Sequence, residues 1–389
     1  MEPIAPLDEG GSDVIRISSI DVFPLRLPLK QNFRISQGTV GAVSAGAPHV
    51  YVRVAGDNGA EGWGEARPSP RWSYETPESV CSAVANYLRP ALLGQRADDL
   101  AVVHRIMNRE LAGSLHPGQP IAKAAVDTAL HDLIARSYGL PVAALWQSGS
   151  AHPVRLSYLI STDSPEEAAR KARQAVAAGY AGVDVKLGLS PARDLDIVAA
   201  VKHEAPNVFF RADANQAYSL TQAIRLAKGL ERLGVDVLEQ PLPASQLHAH
   251  AELRRKTSIP IALDESVWSP SGVLEALRIE ACDTIVIKLT KMGGLRGAKL
   301  CGEIARESGL GLLGGGLTES KLGLLASAHL FRYLELTEPA DLNGPMFLKD
   351  DAVEGEWPIR GGEVVLPEGP GLGCRISEDK LRKYAADAV

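Results

Sequence analysis

The sequence has little of what marks a disulfide scaffold, a nucleic-acid binder or a membrane protein. Its four cysteines, Cys81, Cys282, Cys301 and Cys374, lie far apart, with no CxxC spacing and no neighbouring histidine cluster. A disulfide framework and a zinc module are therefore not indicated, and reduced thiols in the cytoplasm are the expectation. The net charge is −6 with 23% charged residues, and no block of five or more like charges occurs. Neither nucleic acid nor an anionic membrane surface is an expected partner. No apolar run approaches the roughly 20 residues that cross a bilayer. The first residues, "MEPIAPLDEGGSD", lack the basic region and apolar core of a signal or transit peptide, so residues 1–13 are expected to be a disordered tail. What remains open is a small-molecule ligand.

At 389 residues the chain is long enough for a barrel-sized domain plus a smaller one. Short apolar runs end near Ser161, Lys186, Asp213, Glu239, Asp264, Lys288, Leu313 and Leu336, about 22 to 27 residues apart. The intervening text, such as "SPEEAARKARQAVAAGY" and "SLTQAIRLAKGLERLG", is helical, opening on Ser or Ser-Pro and stopping at Gly. Eight alternating strand and helix units predict an α/β fold, a (β/α)8-type barrel over residues 146–345. Gly314-Gly315-Gly316 lacks the spacing of a phosphate loop and reads as a tight turn. Upstream, "VIRISSIDVFPLRLPL" and "HVYVRVAGDNGAEGWGEA" alternate around "GDNG" as antiparallel strands do, and two helical segments follow. Residues 14–145 are thus expected to form an N-terminal α+β capping domain. His131, in the second helix, reads as a packed residue. Residues 346–389 are expected to return to the capping domain.

Five of the eight strand ends finish on a charge: Lys186, Asp213, Glu239, Asp264 and Lys288. The C-terminal face of such a barrel is where active sites lie. Three carboxylates from adjacent strands would repel one another unless a cation neutralised them. With oxygen donors only, the set favours Mg²⁺ first and Mn²⁺ second. Lys186 and Lys288 flank this trio, one strand before and one after, so a substrate resting on the metal would meet an ammonium on each side. That is a two-base arrangement for moving a proton at carbon. A strand-end lysine would also suit a Schiff-base aldolase. Lys291, past the strand end, is expected to face the loop without a role.

The motifs "GWGEA", "DANQAY", "LEQPL", "LDES", "IKLTKMGG", "ASAH" and "LPEGPGLG", in this order, resemble the enolase superfamily, and within it the muconate-lactonizing-enzyme subgroup. The resemblance spans nearly the whole chain. It implies that Asp213, Glu239 and Asp264 ligate Mg²⁺, that the metal holds a substrate carboxylate, and that Lys186 and Lys288 serve opposite faces of the α-carbon. Asn215 and Glu265 match neighbouring polar positions that support the site. Capping loops around 31–47 and 67–76 would cover the mouth, and a homo-oligomer in the cytoplasm would fit the family. One position departs from the subgroup. Its usual Lys-x-Lys is here Asp184-x-Lys186, and a carboxylate on the same face would raise the lysine's pKa and oppose the metal's effect. Such an acid would be paired elsewhere, for example with an arginine, or would serve a different substrate polarity.

The same constellation serves racemisation or epimerisation of amino-acid derivatives, cycloisomerisation of muconates, and elimination of the o-succinylbenzoate synthase or dehydratase kind. "TESKLGLLASAHLF" followed by "EPADLNGPMFLKDD" is similar to the dipeptide epimerases, which carry Asp-x-Asp at the eighth strand. Here the motif is Asp341-Leu342-Asn343, with one acid kept. Asp341 is expected to pair with a cationic substrate nitrogen, with Trp72 or Trp268 offering a ring. The expected substrate is a small-molecule carboxylate, an amino-acid derivative such as a dipeptide or an N-substituted or cyclic amino acid, with muconate second.

Overall fold

Side chains that alternate in and out along seven short parallel strands build the larger part of the molecule. The computed structural model describes residues 14–35, 38–113, 117–146 and 152–386; the expected tail, residues 1–13, lies outside them. We label the three long strands near the N-terminus β1 (Ile17–Leu27), β2 (Ala47–Gly56) and β3 (Glu61–Ala66). Those of the parallel sheet are β4 (Ser157–Ile160), β5 (Gly182–Lys186), β6 (Phe209–Asp213), β7 (Val237–Glu239), β8 (Ile261–Leu263), β9 (Thr284–Ile287) and β10 (Gly311–Gly314). Strands β4 to β10 neighbour one another in sequence order. Two parallel bridges close the ring, Leu156 with Ala340 and Gly315 with Asp341.

The eighth strand therefore lies at Ala340–Asp341, not at Leu336. The helix Lys321–Tyr333 runs on into Leu334, and Leu336 N donates back to Phe331 O at 3.1 Å. Its final leucines pack into the core as a helix end, and from sequence alone such residues imitate a strand.

Serine caps set the helix starts. Ser164, Ser190, Ser219 and Ser269 each accept a hydrogen bond from the backbone N–H three residues on, and Pro165, Pro191 and Pro270 occupy the first turn. These caps contribute about 1 kcal/mol each. Gly234, at φ +66°, ends the helix Leu220–Leu233 in the left-handed conformation that glycine adopts without strain.

The interior of the ring is layered by the same period of two. Val237, Ala262, Val286 and Leu313 form one apolar cluster, with Phe209 against it. Two residues further along each strand stand Glu239, Asp264, Lys288, Gly315 and Arg211. The apolar layer seals the bottom, each buried Val or Leu contributing about 1.5–3 kcal/mol. Above it the barrel is polar.

The N-terminal sheet, in order β1-β2-β3 and antiparallel, packs on the helix Pro120–Ser137. A Cβ on Gly62 would sit 2.1 Å from Ala129 O, and one on Gly64 2.0 Å from Ala125 O. The glycines of "GWGEA" are thus the places where strand meets helix backbone. The chain's last segment returns here, Ala385 bridging to Leu25 and Leu348 to Leu29. Among the described residues, no helix is long and apolar enough to cross a membrane.

A buried polar knot ties this helix to the barrel. Asp127 accepts from His104 Nε2 at 2.5 Å and from the backbone N of Arg296 at 3.2 Å, and lies 3.4 Å from His131 Nδ1. Burial alone would raise Asp127, but His131 and His104 hold it below the usual carboxylate range. Arg296 lies in the first turn of the helix Leu295–Glu307, which follows the Lys288–Gly294 loop. Asp127→Ala leaves two buried imidazoles without their carboxylate and is expected to cost about 3–5 kcal/mol, read as a lower midpoint in urea unfolding.

Candidate active site

Register brings the strand-end charges together. Lys186 pairs with Asp213 across β5 and β6, and Asp213 with Glu239 across β6 and β7. Glu239 stands opposite Ala262, so Asp264, two residues on, shares its face one step higher. Asp213, Glu239 and Asp264 are buried, at 1%, 0% and 0% exposure.

Each lysine sits in its own nest. Lys186 Nζ donates to Asp213 at 2.8 Å and to Asp184 at 2.9 Å, and lies 3.7 Å from Asp341. Burial would lower its pKa, but Asp184, Asp213 and Asp341 push it well above the ordinary lysine value. Asp184 is wholly buried and faces Lys186, with Arg211 Nε 3.9 Å away.

Lys288, 5% exposed, donates to Asp264 Oδ2 at 2.6 Å, and its Nζ lies 4.7 Å from the centre of the Trp72 ring. Burial opposes its charge, while Asp264 and Glu239 raise its pKa. Gly315 makes room for this side chain, since a Cβ there would lie 2.7 Å from Lys288 Cε. The glycine run therefore serves the lysine's stem as well as the strand end.

Lys291 corrects the sequence reading. Far from facing a solvated loop, it is fully buried and donates to Asp264 O at 2.6 Å and Asp264 Oδ1 at 2.8 Å. Asp264 is thereby held by two ammoniums, which outweigh burial and keep it well below the usual carboxylate range. Arg211 is a second buried cation that the strand-end charges do not mark. It is 1% exposed, bonds Glu239, and donates to Gly314 O at 3.0 Å. Its signal was available, because Arg211 precedes Asp213 by two and so points into the same barrel. Arg67 is the third such residue, lining the mouth at 2% exposure with burial lowering its pKa to about 10.

Around this core, Asn215 Nδ2 donates to Glu265 Oε1 at 3.2 Å. At the eighth strand, Asn343 Nδ2 donates to Asp341 Oδ1 at 3.1 Å, and Thr318 Oγ1 to Asn343 Oδ1 at 2.7 Å. Asn343 thus fixes the carboxylate it follows. Trp72 and Phe33 line the mouth with Arg67, Asp341 and Asn343. Trp268 is not on that wall; its ring lies 5.3 Å behind Trp72, with Nε1 donating to Glu265 O at 2.7 Å.

A metal's fit rests on the donors. Among the described residues no three His, Cys, Asp or Glu side chains stand close enough to grip an ion as placed; Lys186 lies on Asp213, and Lys288 and Lys291 on Asp264. The set is nevertheless all oxygen, from three adjacent strands, and Glu239 Oε1 is buried with no hydrogen-bond partner among the described residues. Burial, together with Asp213 and Asp264, raises Glu239 to about 8 despite Arg211. An excess of crowded carboxylate oxygen is what a hard divalent cation relieves.

Comparison with known proteins gives the same picture. Residues 19–146 match the family description "Mandelate racemase / muconate lactonizing enzyme, N-terminal domain", and residues 167–380 match "Enolase C-terminal domain-like". An L-Ala-D/L-Glu epimerase of Bacillus subtilis is 32% identical over 92% of this chain and 96% of its own. A chloromuconate cycloisomerase of Delftia acidovorans is also 32% identical, over 97% of this chain and 99% of its own. A dipeptide epimerase of Cytophaga hutchinsonii, solved with Mg and D-Ala-L-Val, superposes with a TM-score of 0.87 at 27% identity. That likeness covers 95% of this chain and 98% of that one.

Proposed function

Because this chain belongs to the mandelate racemase / muconate lactonizing enzyme family of the enolase superfamily, an isomerase like its relatives, we propose that it racemises or epimerises an amino-acid derivative by moving the α-proton of a carboxylate. The observation that carries this reading is the pair of lysines, Lys186 and Lys288, at the two ends of one row of carboxylates. Asp213, Glu239 and Asp264 would hold Mg²⁺, or Mn²⁺, whose charge would stabilise the substrate carboxylate and the negative charge that develops as its α-proton leaves. One lysine accepts the α-proton and the other delivers a proton to the opposite face, so inversion needs both. Asn215 and Glu265 would support the ligand row from behind.

Asp341 supports a nitrogen-bearing substrate. It is 2% exposed, lines the mouth, and is fixed by Asn343 close to Lys186. A cationic or N–H group beside the α-carbon would pair with it. Trp72 packs against Lys288 and keeps water from that ammonium, which suits proton transfer to carbon. Cycloisomerisation of a muconate is the second reading, favoured by the equal identity to the chloromuconate enzyme.

Incubation in D₂O with Mg²⁺ tests the proposal. A substrate among dipeptides, N-substituted and cyclic amino acids is expected to incorporate α-deuterium and to yield both configurations. Turnover of cis,cis-muconate with no exchange in any amino-acid derivative would replace the first reading by the second.

A further inference from the structure

The wall of the mouth that carries Trp72 is the loop at residues 67–76, and its middle is closed by local bonds: Trp72 N and Ser73 N both donate to Ser69 O at 2.8 Å. Such a turn holds its own shape. It does not by itself fix where the indole lies over the barrel, and the ring's neighbours there, Lys288 Nζ at 4.7 Å and the Trp268 ring at 5.3 Å, are side chains of other segments.

The far end of the loop is held by Glu75. This residue is fully buried, and its carboxylate accepts from Ile121 N at 2.7 Å and from Ala122 N at 3.0 Å. Both are leading donors of the helix Pro120–Ser137, whose own N-terminal neighbour leaves them open: Gln119 stands at φ +50° and its side chain makes no capping bond. Glu75 is therefore the cap, supplied from outside the helix. Every residue of that helix except Arg136 and Ser137 is buried, so the anchor is a fixed body, packed on β3 and tied to the barrel through Asp127. Tyr74 OH adds a second tie beside it, donating to Pro117 O at 2.9 Å.

An acid is an expensive choice for this place. Among the described residues no Lys, Arg or His forms an ion pair with Glu75; Lys123, on the same helix, donates instead to Asn108 Oδ1 at 2.9 Å and Leu111 O at 2.7 Å. Burial pushes the Glu75 carboxyl up to about 7, against both backbone bonds and the Lys123 charge. What the carboxylate offers in return is two acceptor oxygens for two adjacent N–H groups, where an amide has one. The loop's end is thereby fixed at two points.

We propose that Glu75 is a positioning residue for Lys288: by capping the helix Pro120–Ser137 it sets the place of Trp72, three residues back along the chain, and the Trp72 ring sets the Lys288 side chain beneath it. The proposal rests on the reading of the two lysines as bases for opposite faces of the α-carbon. Lys186 has its nest in Asp184, Asp213 and Asp341, none of them on this loop. Loss of Glu75 should therefore be felt on one face only.

Enantiomer-resolved exchange of the α-hydrogen in D₂O, with the Mg²⁺-loaded protein at about pH 8.5, where Glu75 is ionised, tests this. In Glu75→Ala the enantiomer that Lys186→Ala still exchanges is expected to slow by about ten- to a hundredfold, the scale of a catalytic group misplaced by a distant change, while the enantiomer that Lys288→Ala still exchanges stays within about twofold of wild type. Glu75→Gln, with one acceptor oxygen left, should fall between. ¹⁹F NMR of protein carrying 5-fluorotryptophan reads the ring itself. The Trp72 resonance, identified by Trp72→Phe, should shift or broaden in Glu75→Ala, and an unmoved Trp357 resonance in the C-terminal segment shows that the variant is folded. A loss shared equally by both enantiomers, a loss on the Lys186 side alone, no loss, or a Trp72 resonance that stays in place in both Glu75 variants overturns the proposal. If the wild type exchanges the α-hydrogen of no carboxylate, the reaction reading falls and the Trp72 resonance decides the anchor: movement keeps Glu75 as what holds the ring on Lys288, and no movement removes it.

Discussion

Lys288→Ala is expected to lower kcat/KM for racemisation by about 10²–10⁴-fold, the usual worth of a positioned general acid or base. The variant is a clean probe because Asp264 keeps a partner: Lys291 donates to its carbonyl at 2.6 Å and to Oδ1 at 2.8 Å. Lys186→Ala should lose as much activity but is less clean. It removes the ammonium shared by Asp184, Asp213 and Asp341 and leaves three acids facing one another, so weaker stability should accompany the catalytic loss. Two bases also make a stereochemical prediction. With one lysine gone, the enantiomer whose α-proton points at the other should still exchange with D₂O, while its mirror image should not. Lys186→Ala and Lys288→Ala should retain opposite enantiomers. If either variant exchanges both enantiomers at wild-type rates, the two-base assignment is wrong.

The alternation of charges at strand ends was readable because it follows from the strand period alone. Asp213, Glu239 and Asp264 each lie two residues beyond an apolar or arginine position that faces the barrel interior, and inward direction carries across neighbouring strands without further information. The (β/α)8-type fold was legible for the same reason, and because serine caps open several of its helices, among them those after Ser164, Ser190, Ser219 and Ser269.

What failed to show depends on distances that periodicity does not carry. Lys291 sits past the last ladder residue of β9, where the chain turns through Gly293 and Gly294, both at positive φ; only the turn's path folds its side chain back onto Asp264. The eighth strand is short enough to be two bridged residues, Ala340 and Asp341, and the stronger apolar signal beside it belongs to a helix end. Trp268 illustrates a third kind of gap. Its ring supports Trp72 across two segments far apart in sequence, so which tryptophan meets the mouth is decided by packing.

Binding of Mg²⁺ is expected to release protons below about pH 8, with affinity falling as the pH drops. Glu239 and Glu265 are each raised to about 8, in both cases by burial first and then by the neighbouring acids. A carboxylate must be ionised to serve as a ligand, so below that value a bound proton has to leave first. If Glu239 alone gives up its proton, affinity should fall by about tenfold per pH unit from pH 8 toward pH 6. Release by Glu265 as well would steepen it. The sign for stability follows from the same values. An acid whose folded pKa lies above its unfolded one binds more protons when folded, so the metal-free protein should lose stability as pH rises from the ordinary carboxylate range to about 8. Mg²⁺ should remove that slope. Calorimetric titration at pH 7 in two buffers of different ionisation enthalpy measures the proton count, and melting temperature against pH, with and without Mg²⁺, measures the slope. The crowding persists because, among the described residues, Lys186, Lys288, Lys291 and Arg211 together still leave Glu239 Oε1 without a hydrogen-bond partner. Affinity independent of pH between 6 and 8 would mean that these cations suffice to ionise the whole row, and the protonated Glu239 would have to be abandoned.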